Sequence, residues 1–347
     1  MIRVVVADDS ATARQLLRAI LERDGDIRVV AEAFDGAQAV ELVVEHRPDL
    51  VVMDVHMPVA DGLEATKEIM MRAPTAILIV SAVTQRDVDL SLSATQAGAL
   101  MALAKPDNPA SPRFDDAAAE LRGMVRAMAQ VKVVRRWSHG PREPKELRPG
   151  RRPAVPPDLV AIAASTGGPA ALRRVFIDLP RTFPVPILVV QHIARGFAAG
   201  FADWLGVSCA LPVRLAERGE EMRAGTIYVA PDDVHMGVGA GRRIALSAAP
   251  PIGGFRPSAT FLFQNAAERH GAGLVAVVLT GMGSDGADGL VAARAAGAYI
   301  IAQDEATSVV YGMAQEAVRR GVVNVVMPIE HIAGRLLDRV SREAHVD

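Results

Sequence analysis

The chain has 347 residues, of which 50% are hydrophobic, 22% charged and 4% aromatic. That length predicts two domains or three, and the composition excludes global disorder and collagen-like or mucin-like repeats. Basic and acidic residues number 38 and 40, which excludes one large polycation built for nucleic acid, and the single cysteine, Cys209, excludes an internal disulfide or a thiolate zinc site.

Residues 3–7 are a β-branched run and predict a strand. Residues 10–23 have helical spacing, with Leu16, Leu17, Ile20 and Leu21 on one side and Ser10 as N-cap. Further strands are expected at 27–32, 50–53, 76–80 and 101–104, and helices at 36–45, 63–72, 88–97 and 114–129. This fivefold βα rhythm, with continuously apolar strands, predicts a parallel sheet covered on both faces. Residues 126–158 differ: they are rich in proline and basic residues and nearly devoid of apolar periodicity. We read them as a solvated linker, semi-rigid where proline dominates, rather than a surface for nucleic acid or acidic lipid. From 159 a second alternation begins. Strands are expected at 159–164, 187–191, 226–229, 274–279, 299–302 and 323–326, and helices at 170–178, 197–206, 258–270, 285–296 and 313–320. That is a second open, mostly parallel α/β sheet. No run reaches the roughly 18–20 apolar residues that cross a bilayer, and the N-terminal run is too short for a signal peptide. A cytoplasmic protein without membrane insertion is expected.

Open parallel sheets place ligands at the carboxyl ends of their strands. In the first domain Asp8 and Asp9 follow the first strand, Asp54 the third, Ser81 the fourth and Lys105 the fifth. Three converging carboxylates repel one another, and Mg²⁺, which prefers oxygen ligands, relieves that repulsion. A carboxylate beside Mg²⁺ and a lysine can attack phosphorus. Asp54, on the central strand, is the candidate nucleophile and would share the metal with Asp8 and Asp9. Lys105 and Ser81 would hold phosphoryl oxygens. The series Asp8-Asp9, Asp54-Val55-His56-Met57-Pro58, Asp61-Gly62, Ser81-Ala82 and Lys105-Pro106 resembles a two-component receiver domain, with the flavodoxin-like (βα)₅ fold. The resemblance implies a phosphoacceptor at Asp54, Mg²⁺ for phosphorylation and a histidine kinase as phosphodonor. One departure is Ala102, where most receivers carry the aromatic of the phosphorylation switch.

Three strand ends stand out in the second domain. Ser165-Thr166-Gly167-Gly168-Pro169 lies between a strand and a helix. Such a turn can present a hydroxyl above the sheet edge with helix N–H groups beside it, or it can bind phosphate. His192 follows the strand at 187–191. Asp285 follows the strand at 274–279 through Thr280-Gly281-Met282-Gly283-Ser284, as a helix N-cap or as a functional carboxylate. Ser165, His192 and Asp285 at one sheet edge permit a nucleophile–base–carboxylate triad. His235 has no second histidine at ligand spacing and reads as a loop residue beside the cleft.

The same segments resemble the chemotaxis receptor methylesterase domain, as do Gln191-His192, Ala230-Pro231-Asp232, Arg256-Pro257-Ser258 and residues 302–308. With the receiver, the resemblance covers nearly the whole chain and points to the response-regulator protein-glutamate methylesterases. It implies a receiver at 1–125, a linker at 126–158 and a hydrolase domain at 159–347. It implies catalytic residues Ser165, His192 and Asp285, with Thr166, Met282 and Gly283 near the oxyanion and no cofactor in this domain. The implied activity is phosphorylation-activated hydrolysis of glutamate methyl esters of methyl-accepting chemoreceptors, together with deamidation of receptor glutamines. The alternative is a response regulator whose second domain binds a partner without catalysis. A second departure is Ala163, where the family usually has glycine two residues before the serine.

Overall fold

The computed structural model describes residues 1–341 except 83, 107, 113, 132–142 and 148–155. It separates into two compact units, Met1–Ser138 and His139–Asp347.

The first unit runs β1 (Ile2–Ala7), α1 (Ala11–Glu22), β2 (Ile27–Ala33), α2 (Gly36–His46), β3 (Leu50–Met53), α3 (Gly62–Arg72), β4 (Ala76–Ser81), α4 (Gln85–Ala97), β5 (Met101–Ala104) and α5 (Phe114–Met128). All five strands are parallel, in the order β2-β1-β3-β4-β5. Helices α1 and α5 pack together, and α2, α3 and α4 form a second group. Residues of β3 and β4 are buried throughout, as a two-sided cover requires. Side-chain caps set the helix starts: Ser10 accepts from the Ala13 N–H, and Asp61 and Glu64 form a capping box. Helix α5 continues to Met128, past the residue 125 where the sequence reading ends the domain.

The second unit adds β6 (Lys145–Glu146), β7 (Leu159–Ala164), α6 (Gly168–Phe176), β8 (Ile187–Gln191), α7 (Ala198–Ser208), β9 (Val213–Leu215), β10 (Ile227–Val229), β11 (His235–Val238), β12 (Ile244–Ser247), α8 (Ala259–His270), β13 (Leu274–Val278), α9 (Ala287–Ala295), β14 (Tyr299–Gln303), α10 (Met313–Arg319), β15 (Val325–Met327) and α11 (Ile329–Val340). The eight-stranded sheet has the order β6-β15-β14-β13-β7-β8-β10-β9. Only β6 runs antiparallel within it. Helices α6, α7 and α11 pack together, as do α8, α9 and α10, and α8 also rests on the β11–β12 hairpin. The chain winds from β7 toward β8 and returns to β13 on the other side of β7. The sheet's direction of winding therefore reverses at β7, where ligands bind in open α/β sheets.

Several elements differ from expectation. Within the segment read as linker, Lys145 and Glu146 extend the sheet edge, where Glu146 also pairs with Arg335 at 2.7 Å. The remaining basic and proline residues at 132–142 and 148–155 lie outside the described residues. The hairpin β11–β12, the edge strand β9 and the helix α11 were absent from the sequence reading. Helix α11 buries Ile329, Ile332, Ala333, Leu336 and Val340, a spacing that puts them on one face.

Candidate active site and phosphoacceptor site

Strands β13, β7 and β8 are neighbours in register, with Val278 opposite Ala163 and Ala164 opposite Gln191. The backbone ladder continues one step past the strands. Ser165 N–H donates to Thr280 O at 3.0 Å, and His192 N–H donates to Ala164 O at 2.9 Å. Ser165 and His192 therefore leave adjacent strands at one edge, and the chain from β13 reaches Asp285 beside them. Ala163 lies inside β7, fully buried, and is not among the residues with positive φ. Its replacement of glycine therefore costs nothing in backbone geometry.

Residues Ser165 to Gly168 form a turn closed by Gly168 N–H to Ser165 O at 2.8 Å. Gly167 takes φ +75° and ψ −1°, the third-position conformation of a type II turn, which an L side chain resists. Gly281 answers a different need: a Cβ there would come within 2.7 Å of Ser165 Cβ. Thr166 is almost fully buried, and its hydroxyl oxygen has no hydrogen-bond partner. Met282 is half-buried and Gly283 is exposed.

His192 Nε2 bonds Asp285 Oδ2 at 2.9 Å, with both side chains buried. His192 Nδ1 is buried and unpartnered, and Ser165 Oγ makes no hydrogen bond to it. One face of the imidazole stacks on Phe255, with centroids 4.2 Å apart and planes 11° apart.

Asp285 is held from several directions. Its Oδ1 accepts from Ser258 Oγ at 2.7 Å, Thr260 N–H at 3.1 Å and Gly286 N–H at 2.9 Å. Its Oδ2 also accepts from Ala259 N–H at 2.7 Å. The carboxylate thus sits on the N-terminus of α8, not at the N-cap of α9, which is Gly286. Burial pushes its carboxyl up, but bonds from His192, Ser258 and Ala259 outweigh this and lower it to about 2.

His235 departs from the expectation of a loop residue. It is fully buried in β11, because its ring fills the space under α8. Nδ1 accepts from Ser258 N–H at 3.2 Å, which leaves Nε2–H to donate to Pro250 O at 3.1 Å. Beside the site, a pocket is lined by Gln191, Arg195, Asp232 and Arg256 among others.

In the first unit the expected residues also converge. Carboxylate oxygens of Asp8, Asp9 and Asp54 all lie within 4.8 Å of one another. Lys105 Nζ is 2.6 Å from Asp8 Oδ2 and 2.9 Å from Asp54 Oδ2. Burial, with help from Asp8, raises the Asp54 carboxyl despite the nearby lysine. Ser81 Oγ is buried and unpartnered. Three carboxylates grouped around a common point fit a hard, oxygen-seeking divalent cation such as Mg²⁺. Ala102 is buried in β5 opposite Ile79. The sequence gives no sign of Phe255, of Ser258 as a donor to Asp285, or of the pairing of His56 with Asp87 at the start of α4.

Residues 160–336 match the model of the CheB methylesterase family, and residues 4–111 match the response regulator receiver domain. The chain belongs to the CheB methylesterase family. A Myxococcus xanthus protein-glutamate methylesterase/protein-glutamine glutaminase is 49% identical over 96% of both chains. One from Anaeromyxobacter dehalogenans is 48% identical over 97% of this chain and 98% of its own. The catalytic domain of Thermotoga maritima CheB methylesterase has a crystal structure similar to 53% of this chain and 99% of that one, at 37% identity and a TM-score of 0.52. Membership makes the chain an enzyme of the protein-glutamate methylesterase and protein-glutamine glutaminase class, with a receiver domain ahead of its methylesterase domain. The receiver and methylesterase families and both expected folds are thereby borne out. Among the described residues no helix is long and apolar enough to cross a membrane.

Proposed function

We propose that Ser165, His192 and Asp285 are the catalytic triad of a cytoplasmic enzyme that demethylates and deamidates chemoreceptors. The observation that supports it best is the bond between His192 Nε2 and Asp285, which leaves the buried Nδ1 free to act as base. Ser165 Oγ attacks the carbonyl of a γ-glutamyl methyl ester, and Nδ1 takes the hydroxyl proton. Asp285 holds the ring and stabilises its charged form. N–H groups of the Thr166 turn or of the Met282–Gly283 turn receive the oxyanion. Methanol leaves with the proton from the imidazole. Water, deprotonated by the same ring, then cleaves the acyl-serine to a free carboxylate. With glutamine the leaving group is ammonia, and the remaining steps are the same.

The receiver regulates this chemistry in our reading. Asp54 attacks the phosphorus of the histidine kinase's phosphohistidine, whose imidazole leaves as the P–N bond breaks; Lys105 pairs with a phosphoryl oxygen and the Ser81 hydroxyl donates to another. Mg²⁺, held by Asp8, Asp9 and Asp54, would neutralise charge on the transferring group. The phosphoryl group adds roughly −1.5 to −2 charges at Asp54. A tenfold activation needs only about 1.4 kcal/mol of differential stabilisation between less and more active states. Methanol release from methylated receptor membranes, with and without a small phosphodonor, tests both halves of the proposal.

A further inference from the structure

We propose that Phe255 is a positioning residue for His192, fixing the plane of the imidazole against an aromatic face. This rests on the triad reading above and deepens it.

A single hydrogen bond at Nε2 restrains one atom of the ring and leaves its tilt free. The nearly parallel Phe255 ring, 4.2 Å away between centroids, removes that freedom. An aromatic face also attracts a cation, and the imidazole becomes one when it takes the Ser165 proton. The stack therefore favours the transition state over the ground state, the condition for accelerating chemistry instead of merely tightening binding.

The backbone delivers Phe255 to this place by a tight turn. Ile252 and Phe255 exchange backbone hydrogen bonds of 3.1 and 3.0 Å. Between them Gly253 and Gly254 have φ +59° and +88°. Positive φ at both central positions is the signature of a type I′ turn and favours glycine. A few residues on, Ser258 grips Asp285. One segment, residues 252–258, thus supports the face of the imidazole and the carboxylate at its edge. Phe255 is itself only half-buried, so its removal leaves the hydrophobic core intact.

The test measures kcat and KM of full-length enzyme on methylated receptor membranes for the wild type, F255L and F255Y, with S165A alongside. Leucine keeps apolar bulk without the aromatic face, and tyrosine keeps that face. F255L should lower kcat roughly threefold to tenfold with KM little changed, and F255Y should restore it. Wild-type kcat in F255L, with S165A inactive, would overturn this inference and leave the triad standing. So would an F255Y variant as impaired as F255L. Substantial activity in S165A would overturn the triad reading, and the role of Phe255 with it.

Discussion

Ser258 Oγ lies 2.7 Å from Asp285 Oδ1 while also accepting from the N–H groups of Thr260 and Phe261. The hydroxyl is at once the N-cap of α8 and a clamp on the carboxylate that holds His192. S258A should therefore cost stability and rate together. Loss of a cap is worth ~1 kcal/mol, and loss of a hydrogen bond to a charged group about 1.5–3 kcal/mol. Turnover should fall roughly tenfold or more, measured as initial rate of methanol release at saturating substrate. An unchanged rate would show that the α8 N–H groups alone hold Asp285.

Ser165→Ala removes the proposed nucleophile. Activity should fall by several orders of magnitude, with the residue of catalysis coming from binding and the oxyanion donors. A burst of covalent labelling by an activated serine reagent should vanish in the same variant. A variant retaining about half the rate would contradict the assignment.

The depressed carboxyl of Asp285 predicts a pH dependence of folding. Its ordinary value is 3.8 and its folded value about 2, so the folded state binds the proton less readily than the unfolded one. Its contribution is present above pH ~4 and lost as pH falls toward about 2, on the order of 2 kcal/mol in all. Denaturant unfolding of the methylesterase domain between those pH values should show a shallower acid slope in D285N. Equal slopes in the two proteins would contradict the environment described for Asp285.

The strand–helix rhythm, the gathering of Ser165, His192 and Asp285 at one sheet edge and the acidic cluster are legible in the sequence because each leaves a local mark. Continuous apolar runs mark two-sided strands, and chemistry follows at their ends. Phe255 left no such mark, because its partner is 63 positions away and its own surroundings, Gly253-Gly254-Phe255-Arg256, read as a loop. His235 misled for a related reason: with no second histidine at ligand spacing it reads as a loop residue beside the cleft, whereas it lies in β11 and packs under α8. Strands β6 and β9 are too short for periodicity, and the pairing of β6 with β15 comes from across the sequence. Helix α11 carries an apolar stripe after Pro328, a helical spacing legible in the sequence itself.

Val59, in the loop between β3 and α3, has φ +67° and is 84% exposed. A β-branched residue in the left-handed region is strained, and an exposed one gains little packing in return. Val59→Gly should stabilise the receiver by about 1 kcal/mol, less the greater entropy that glycine loses on folding. The receiver's unfolding transition should move to higher denaturant. A lower midpoint would show that the valine side chain has a packing role.

The central claim couples two sites: a phosphoryl group on Asp54 raises hydrolysis at Ser165. Its most direct test is methanol release from methylated receptor membranes, with and without a small phosphodonor and Mg²⁺, in the wild type, D54N and S165A. We expect release that rises with phosphodonor in the wild type, does not respond in D54N and is lost in S165A. Release that rises equally in D54N, or that survives in S165A, would contradict the account.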